Sequence, residues 1–383
     1  MGGFVSVVVA ALGVGLLILV HEFGHFVVAK LAGMRVEEFS IGFGPYLVSR
    51  RLGETVYGVS AFPLGGYVRV TGMHEEEFQA RVDAVREHKA HGTRDAESRL
   101  TGRSALSDEE IIRTPLERRY YAKPVWQRLV FIVAGVSMNV LAAFVLLFFV
   151  GVRGYYEPSP VISGVEPGSG AAAAGLEAGD RLVRIAGEEI TDWRSVQEAI
   201  RKHPGEKVTV VVERAGAERR LEAQVSTRPD GTPVLGVRPE VRKVTPGAGE
   251  VVAFAADRTR DLFVLTFRGI GMMVSGEAPI TGPEGLTGPV GIVSLSSEAV
   301  RGGYFLSLLA FISVQLAILN MLPLLPLDGG HVLFSLIEKV TGRAVSLRTF
   351  ESVSVVGIAL FLLLFLVATG NDLGRLFSGG AGF

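Results

Sequence analysis

The sequence predicts a polytopic α-helical membrane protein with about four transmembrane helices, a strand-and-hairpin region after the first of them, and one inserted α+β domain. Three observations carry that expectation. Apolar residues make up 48% of the chain and are bunched into runs, whereas charged residues are only 20%. Four uncharged runs, at 1–20, 129–150, 304–327 and 353–369, approach the roughly 17–25 residues that a helix needs to cross a bilayer. Between the second and third runs lies a long stretch with ordinary water-soluble patterning. The 38 basic and 39 acidic residues nearly cancel, so no global field draws the chain to nucleic acid. Cysteine is absent, which leaves any metal to His, Asp or Glu.

The first helix is expected over 1–30. It has no basic leader and no small-residue cleavage pattern, so it reads as a span rather than a secretory signal. MGGFVS matches a myristoylation pattern, but a Gly-rich start to the span explains it better. Within this helix, "LVHEFGHFVV" places His21, Glu22 and His25 among apolar residues. Residues 31–73 alternate apolar and polar side chains around Gly-Pro and Leu-Gly-Glu breaks, the pattern of short strands and hairpins. Residues 74–128 form a charged linker; within it 74–119 read as exposed helix or mobile chain, and His74, His88 and His91 as solvated side chains. The second span covers 129–152.

Residues 160–240 then read as a strand, a Gly-rich loop with a short Ala helix, and a strand ending at Ile185. A hairpin, a helix over about 193–202 capped by Thr191-Asp192, and two strands at 208–213 and 220–225 follow. Residues 250–302 hold an amphipathic segment, interfacial, re-entrant or buried, followed by a Gly- and Pro-rich loop that breaks regular structure. The third span, 303–335, contains "NMLPLLPLDGG", and the fourth covers 351–370. Lys30, Arg35, Arg118, Arg119, Lys123, Arg128, Lys339, Arg343 and Arg348 put 31–128 and 328–350 on the cytoplasmic side. Residues 151–303 and both termini then face outward.

H-E-x-x-H on a helix sets two imidazoles on one face, where they can share a Zn²⁺. Glu22, turned about 100° from His21, stays near enough to act as a general base. Ionisable groups in a lipid-facing helix cost several kcal/mol, so they mark a cavity or a function. A catalytic zinc takes three protein donors and keeps one position open. Asn320 and Asp328 lie in a run interrupted by Pro323, Pro326 and Gly329-Gly330. Such breaks are tolerated where the chain lines a cavity. Asp328 is the preferred third donor and His331 the competing one.

Two resemblances follow from these residues. "GSGAAAAGLEAGDRLVRIAGEEI" resembles a circularly permuted bacterial PDZ domain. That likeness implies a peptide added to a sheet edge, with Leu235, Gly236 and Val237 as the candidate carboxylate cradle. The same residues would also serve simply to pack the sheet, leaving the domain as a steric filter. The whole chain, with HEFGH, "FSIGFGP", "FPLGGYV" and "NMLPLLPLDGG" in order, resembles the site-2 proteases, intramembrane zinc metalloproteases, with a single PDZ domain. The resemblance implies zinc held by His21, His25 and Asp328, with Glu22 as base. It also implies that Asn320 contacts the substrate backbone or the developing oxyanion, and that the strands near 62–70 form a membrane-associated β-hairpin. Expected partners are the lipid bilayer and transmembrane protein substrates shortened beforehand by another protease, such as an anti-sigma factor, or remnant signal peptides. The expected location is the bacterial inner membrane. "AGVSMN" in the second span departs from the family's usual proline after the glycine, which leaves Gly135 and Asn139 as structural candidates only. A catalytically silent PDZ membrane scaffold is the alternative.

Overall fold

Apolar residues on every face keep helix α1 (Gly2–Leu31) running without interruption until Gly33, whose φ of +67° ends it. The Met34 N–H reaches back to the Ala29 carbonyl at 2.9 Å, and the Met34 side chain is wholly buried, closing the helix with a hydrophobic contact. The computed structural model describes residues 2–91, 106–228, 231–282, 285–343 and 345–377. The chain divides into one unit of Met1–Phe149 with Val252–Phe383, and a second of Val150–Val251.

Strands β1 (Val36–Leu52) and β2 (Thr55–Val70) are each long enough to fold back on themselves. Ile41 pairs with both Val59 and Gly66, so the first half of β1 lies between the two halves of β2. The second half of β1 pairs with the first half of β2, from Tyr46–Ser60 to Leu52–Thr55. The 62–70 run of β2 is therefore one edge of the sheet. Glu54 in the intervening turn accepts hydrogen bonds from Lys30 at 2.8 Å and from both ends of the Arg118 guanidinium at 2.8 Å.

The charged segment after the sheet is more ordered than its composition predicts. Helix α2 (Glu75–His91), the short α3 (Asp108–Ile112) and Leu106 just before it bury Phe78, Ile111 and the Leu106 side chain against Val56 of the sheet, and Arg119 lies over the Phe78 ring at 4.1 Å. A few large apolar side chains suffice to dock the segment because each meets a ready-made sheet face. Residues 92–105 of that expected linker, and the side chains of His88 and His91, lie outside the described residues. His74 is half-buried, with its ring 4.4 Å from that of Phe350.

Helix α4 (Val125–Arg153) is the second long apolar helix. After it, β3 (Tyr155–Val165) opens the inserted unit, followed by α5 (Gly170–Ala173), β4 (Arg181–Ile185), β5 (Glu188–Glu189), α6 (Trp193–Arg201), β6 (Lys207–Arg214), β7 (Ala217–Gln224), β8 (Ser226–Thr227), β9 (Pro233–Val234) and β10 (Val237–Val244). The main sheet runs β10-β3-β4-β6-β7, with β5 paired to β4. Helix α6 starts at a capping box between Asp192 and Ser195 and buries Val196, Ala199 and Ile200, the i, i+3, i+4 stripe that the sheet needs. Asp180 is fully buried, which disfavours its charge, yet two hydrogen bonds from Arg214 at 2.6 and 2.7 Å hold its carboxyl below the usual range.

Helix α7 (Ala248–Ser275) follows as one continuous 28-residue element. The Gly- and Pro-rich segment then holds a correction: regular structure resumes at Pro289 as α8 (Pro289–Gly302). Proline is suited to a first helical position. The missing cap comes from afar, since the Asp372 carboxylate accepts the N–H groups of Gly288 at 3.0 Å and Gly291 at 2.8 Å. The third span is broken where its prolines and glycines announce an interruption. It is not one helix: α9 (Phe305–Asn320) stops, 321–327 form a break, and α10 (Asp328–Thr341) begins anew. Pro323 and Pro326 lack the N–H groups a helix would require. Helix α11 (Leu347–Phe377) is apolar through its middle. Among the described residues three helices are long and apolar enough to cross a membrane, Val7–Leu31, Val125–Arg153 and Leu347–Phe377. The 16 residues of α9 reach only about 24 Å, short of the ~30 Å hydrocarbon core.

Candidate metal centre

One turn of α1 separates His21 from His25, so both rings leave the same face and meet α10 at its first residue. His21 Nε2 lies 3.1 Å and His25 Nε2 3.3 Å from Asp328 Oδ2, and the two Nε2 atoms are 3.2 Å apart. These are the one group of three metal-seeking side chains found among the described residues. Both histidines are buried. Zinc bonds near 2.0–2.2 Å at tetrahedral angles set donor pairs about 3.3–3.5 Å apart, close to the observed triangle. Asp328 Oδ2 is buried with no hydrogen-bond partner. Three electron-rich atoms crowd one point, and a shared cation removes their repulsion. The residues present fit zinc.

Helix α4 makes room for this. Phe131, Gly135 and Asn139 recur every fourth residue and so share a face of the helix. The Phe131 carbonyl accepts the His25 Nδ1–H at 2.8 Å, and the Asn139 carboxamide nitrogen lies 3.2 Å from His21 Nδ1. A Cβ at Gly135 would stand 2.7 Å from His21 Nε2 and closer still to His25 Nε2. Only glycine lets α4 approach there. Glu22 lies beside the edge run of β2. Gly66 beside it has no room for a methyl group, which would meet the Ser40 carbonyl at 2.8 Å and Glu22 Cγ at 3.1 Å.

The other residues singled out from sequence fall elsewhere. His331 is outside the donor triangle, its ring 5.2 Å from that of Phe350. Asn320 is the last residue of α9, half-buried where the break begins. Leu235 is a core residue of the inserted unit, and its carbonyl accepts the Ala171 N–H at 3.0 Å. The Gly236 carbonyl accepts the Glu166 N–H at 2.8 Å, and Val237 opens β10 opposite Val165. Gly135 and Asn139 are the residues whose closeness to the histidines the sequence did not reveal. Their signal was faint: a glycine and an amide four residues apart in an otherwise apolar helix.

Comparison with known proteins identifies the family. The model of peptidase family M50 matches residues 9–364. The zinc metalloprotease RasP of Bacillus licheniformis is 30% identical, covering 95% of this chain and 97% of its own. RasP of Geobacillus kaustophilus is 31% identical over 95% and 96%. The regulator of sigma-W protease RasP of Bacillus subtilis is 29% identical over 98% and 100%. Among solved structures, the PDZ domain of an SdrC-like protein from Listeria monocytogenes is 19% identical over 21% of this chain and 87% of that one; its TM-score of 0.20 carries no argument. The family match over nearly the whole chain removes the silent-scaffold alternative: the chain belongs to peptidase family M50, the site-2 proteases, and is a zinc metalloprotease with membrane-spanning helices.

Proposed function

We propose that this protease cuts peptide bonds inside transmembrane segments, with His21, His25 and Asp328 holding the zinc and Glu22 as general base. The observation that supports the reading is the address of the donor triangle. Two donors stand on α1, an apolar helix of spanning length, and the third is the first residue after a broken apolar helix. A protease for soluble loops has no reason to bear the cost of ionisable groups at that depth.

When bound, zinc supplies Lewis acidity towards a carbonyl oxygen and acidifies water. The chain's own groups do the remainder. Glu22 takes the proton of the attacking water and delivers it to the leaving amine. A membrane helix must unwind before its peptide bonds are accessible. The 62–70 edge of β2 offers backbone groups with which an unwound segment can pair. Asn320 contacts the substrate backbone or the developing oxyanion, and the 321–327 break gives water a route. The inserted unit is a PDZ domain that binds a peptide terminus near Leu235, Gly236 and Val237 or filters substrates by bulk. The site lies near the cytoplasmic face of the bacterial inner membrane, with the inserted unit and both termini on the outer side. Substrates are membrane proteins already shortened by another protease. The name of the sigma-W relative favours an anti-sigma factor among them.

The test is cleavage in proteoliposomes of a transmembrane substrate carrying helix-breaking residues, against casein as a soluble substrate. The membrane substrate is cut and casein is not; the reverse result overturns the reading. Metal analysis tests the ligands: Asp328→Asn loses zinc, His331→Ala keeps it, and the opposite pattern removes Asp328 from the centre.

A further inference from the structure

Both histidines of the centre are supported from behind by α4, but in unequal ways. His25 has an acceptor at Nδ1, the Phe131 carbonyl at 2.8 Å. That contact fixes the tautomer with its proton on Nδ1 and its Nε2 lone pair free. His21 aims Nε2 at the same point, 3.1 Å from Asp328 Oδ2. A neutral imidazole has one N–H, so an Nε2 that donates electrons must leave the proton on Nδ1. That proton requires an acceptor. The atom 3.2 Å away is Asn139 Nδ2, itself a donor, while Asn139 Oδ1 is buried with no partner. The two ends of a carboxamide are nearly the same size, and a half-turn exchanges them at no steric cost. Turned so, Oδ1 gains the partner it lacks and His21 the acceptor it needs.

We infer that Asn139 is a positioning residue of the metal centre, accepting the His21 Nδ1–H through Oδ1 and thereby holding Nε2 toward the shared point. The inference rests on His21 being a zinc donor. Asn139 is fully buried, and its place on α4 is braced by Ser313 Oγ, which donates to the Asn139 carbonyl at 2.8 Å. The α4 face thus carries a backbone acceptor, a glycine gap and a side-chain acceptor at successive turns. Partners of this kind behind a ligating histidine typically carry about 10–100-fold in metal affinity.

The experiment is zinc affinity by chelator competition on the full-length protein in detergent, with no activity measurement needed. The variants are Asn139→Leu, Asn139→Asp and His21→Ala. Asn139→Leu weakens zinc about 10–100-fold, while Asn139→Asp, which can only accept from Nδ1–H, holds it within a few-fold of wild type. Weak binding by Asn139→Asp overturns the inference, because only a residue that donates to His21 fails to be rescued by a carboxylate of the same shape. Wild-type affinity in Asn139→Leu overturns it also. Should Asn139→Leu fail to fold, the carboxylate variant alone decides by the same criterion. Wild-type affinity in His21→Ala is the separate outcome that removes the underlying ligand reading.

Discussion

Gly135 shows how much a missing side chain can decide. A methyl group there would stand 2.7 Å from His21 Nε2, inside the space the two imidazoles share. Gly135→Ala is therefore expected to abolish zinc retention and lower peptidase activity by about 100-fold or more, a drop of ~3 kcal/mol in transition-state stabilisation. Metal analysis and cleavage rates check it together. Glu22→Gln separates chemistry from metal holding: zinc content stays at the wild-type level while the rate falls about 10²–10⁴-fold. The pair His21 and His25 was legible in the sequence because a four-residue interval on a helix fixes a common face without further knowledge. Gly135 and Asn139 were not. Their placement depends on which face of α4 turns toward α1, and an apolar helix hides its own orientation.

At the level of elements, the turn between β1 and β2 is pinned by charge. Burial works against the Glu54 carboxylate, yet the hydrogen bonds from Arg118 and Lys30 hold it down to about 2. A carboxyl depressed in the folded state contributes stability above its unfolded value of about 4.3, and that contribution fades as pH falls toward 2. Wild type should exceed Glu54→Gln by about 1–2 kcal/mol at pH 7, after allowing for screening at this partly exposed site. The gap should narrow below pH 4 and close near pH 2, read from melting temperatures across that range. The element most dependent on a distant residue is α8. Its cap, Asp372, lies 84 residues beyond Gly288, which is why a Gly- and Pro-rich segment concealed a helix start. Asp372→Ala strands the N–H groups of Gly288 and Gly291 and removes one of the partners of Arg375. Faster proteolysis within 276–288 than in wild type is the expected result. The two docked helices of the charged segment were hidden for a related reason: composition counts charges, whereas docking needed only Phe78, Leu106 and Ile111 in register with a sheet.

For the molecule as a whole, the division into two units tells how its parts can be handled. Val150–Val251 has its own core, including the fully buried Leu182, Ile185, Val196, Val210 and Val212. Excised, it should fold cooperatively in water without detergent, with Leu182→Ala costing about 2–5 kcal/mol in a denaturant titration. Its order of strands and helices was readable from alternation and capping residues, since each element there buries one face and shows the other to water. The broken third span was readable only in part: prolines announced an interruption, but not that a new helix would start on Asp328. That start has a temporal consequence. The two imidazoles emerge early from the ribosome and the carboxylate some three hundred residues later, so a half-made chain in the membrane carries an incomplete triangle. On the proposed ligand set, a nascent chain that has not yet reached Asp328 cannot close the site, so no cleavage precedes the insertion of that stretch.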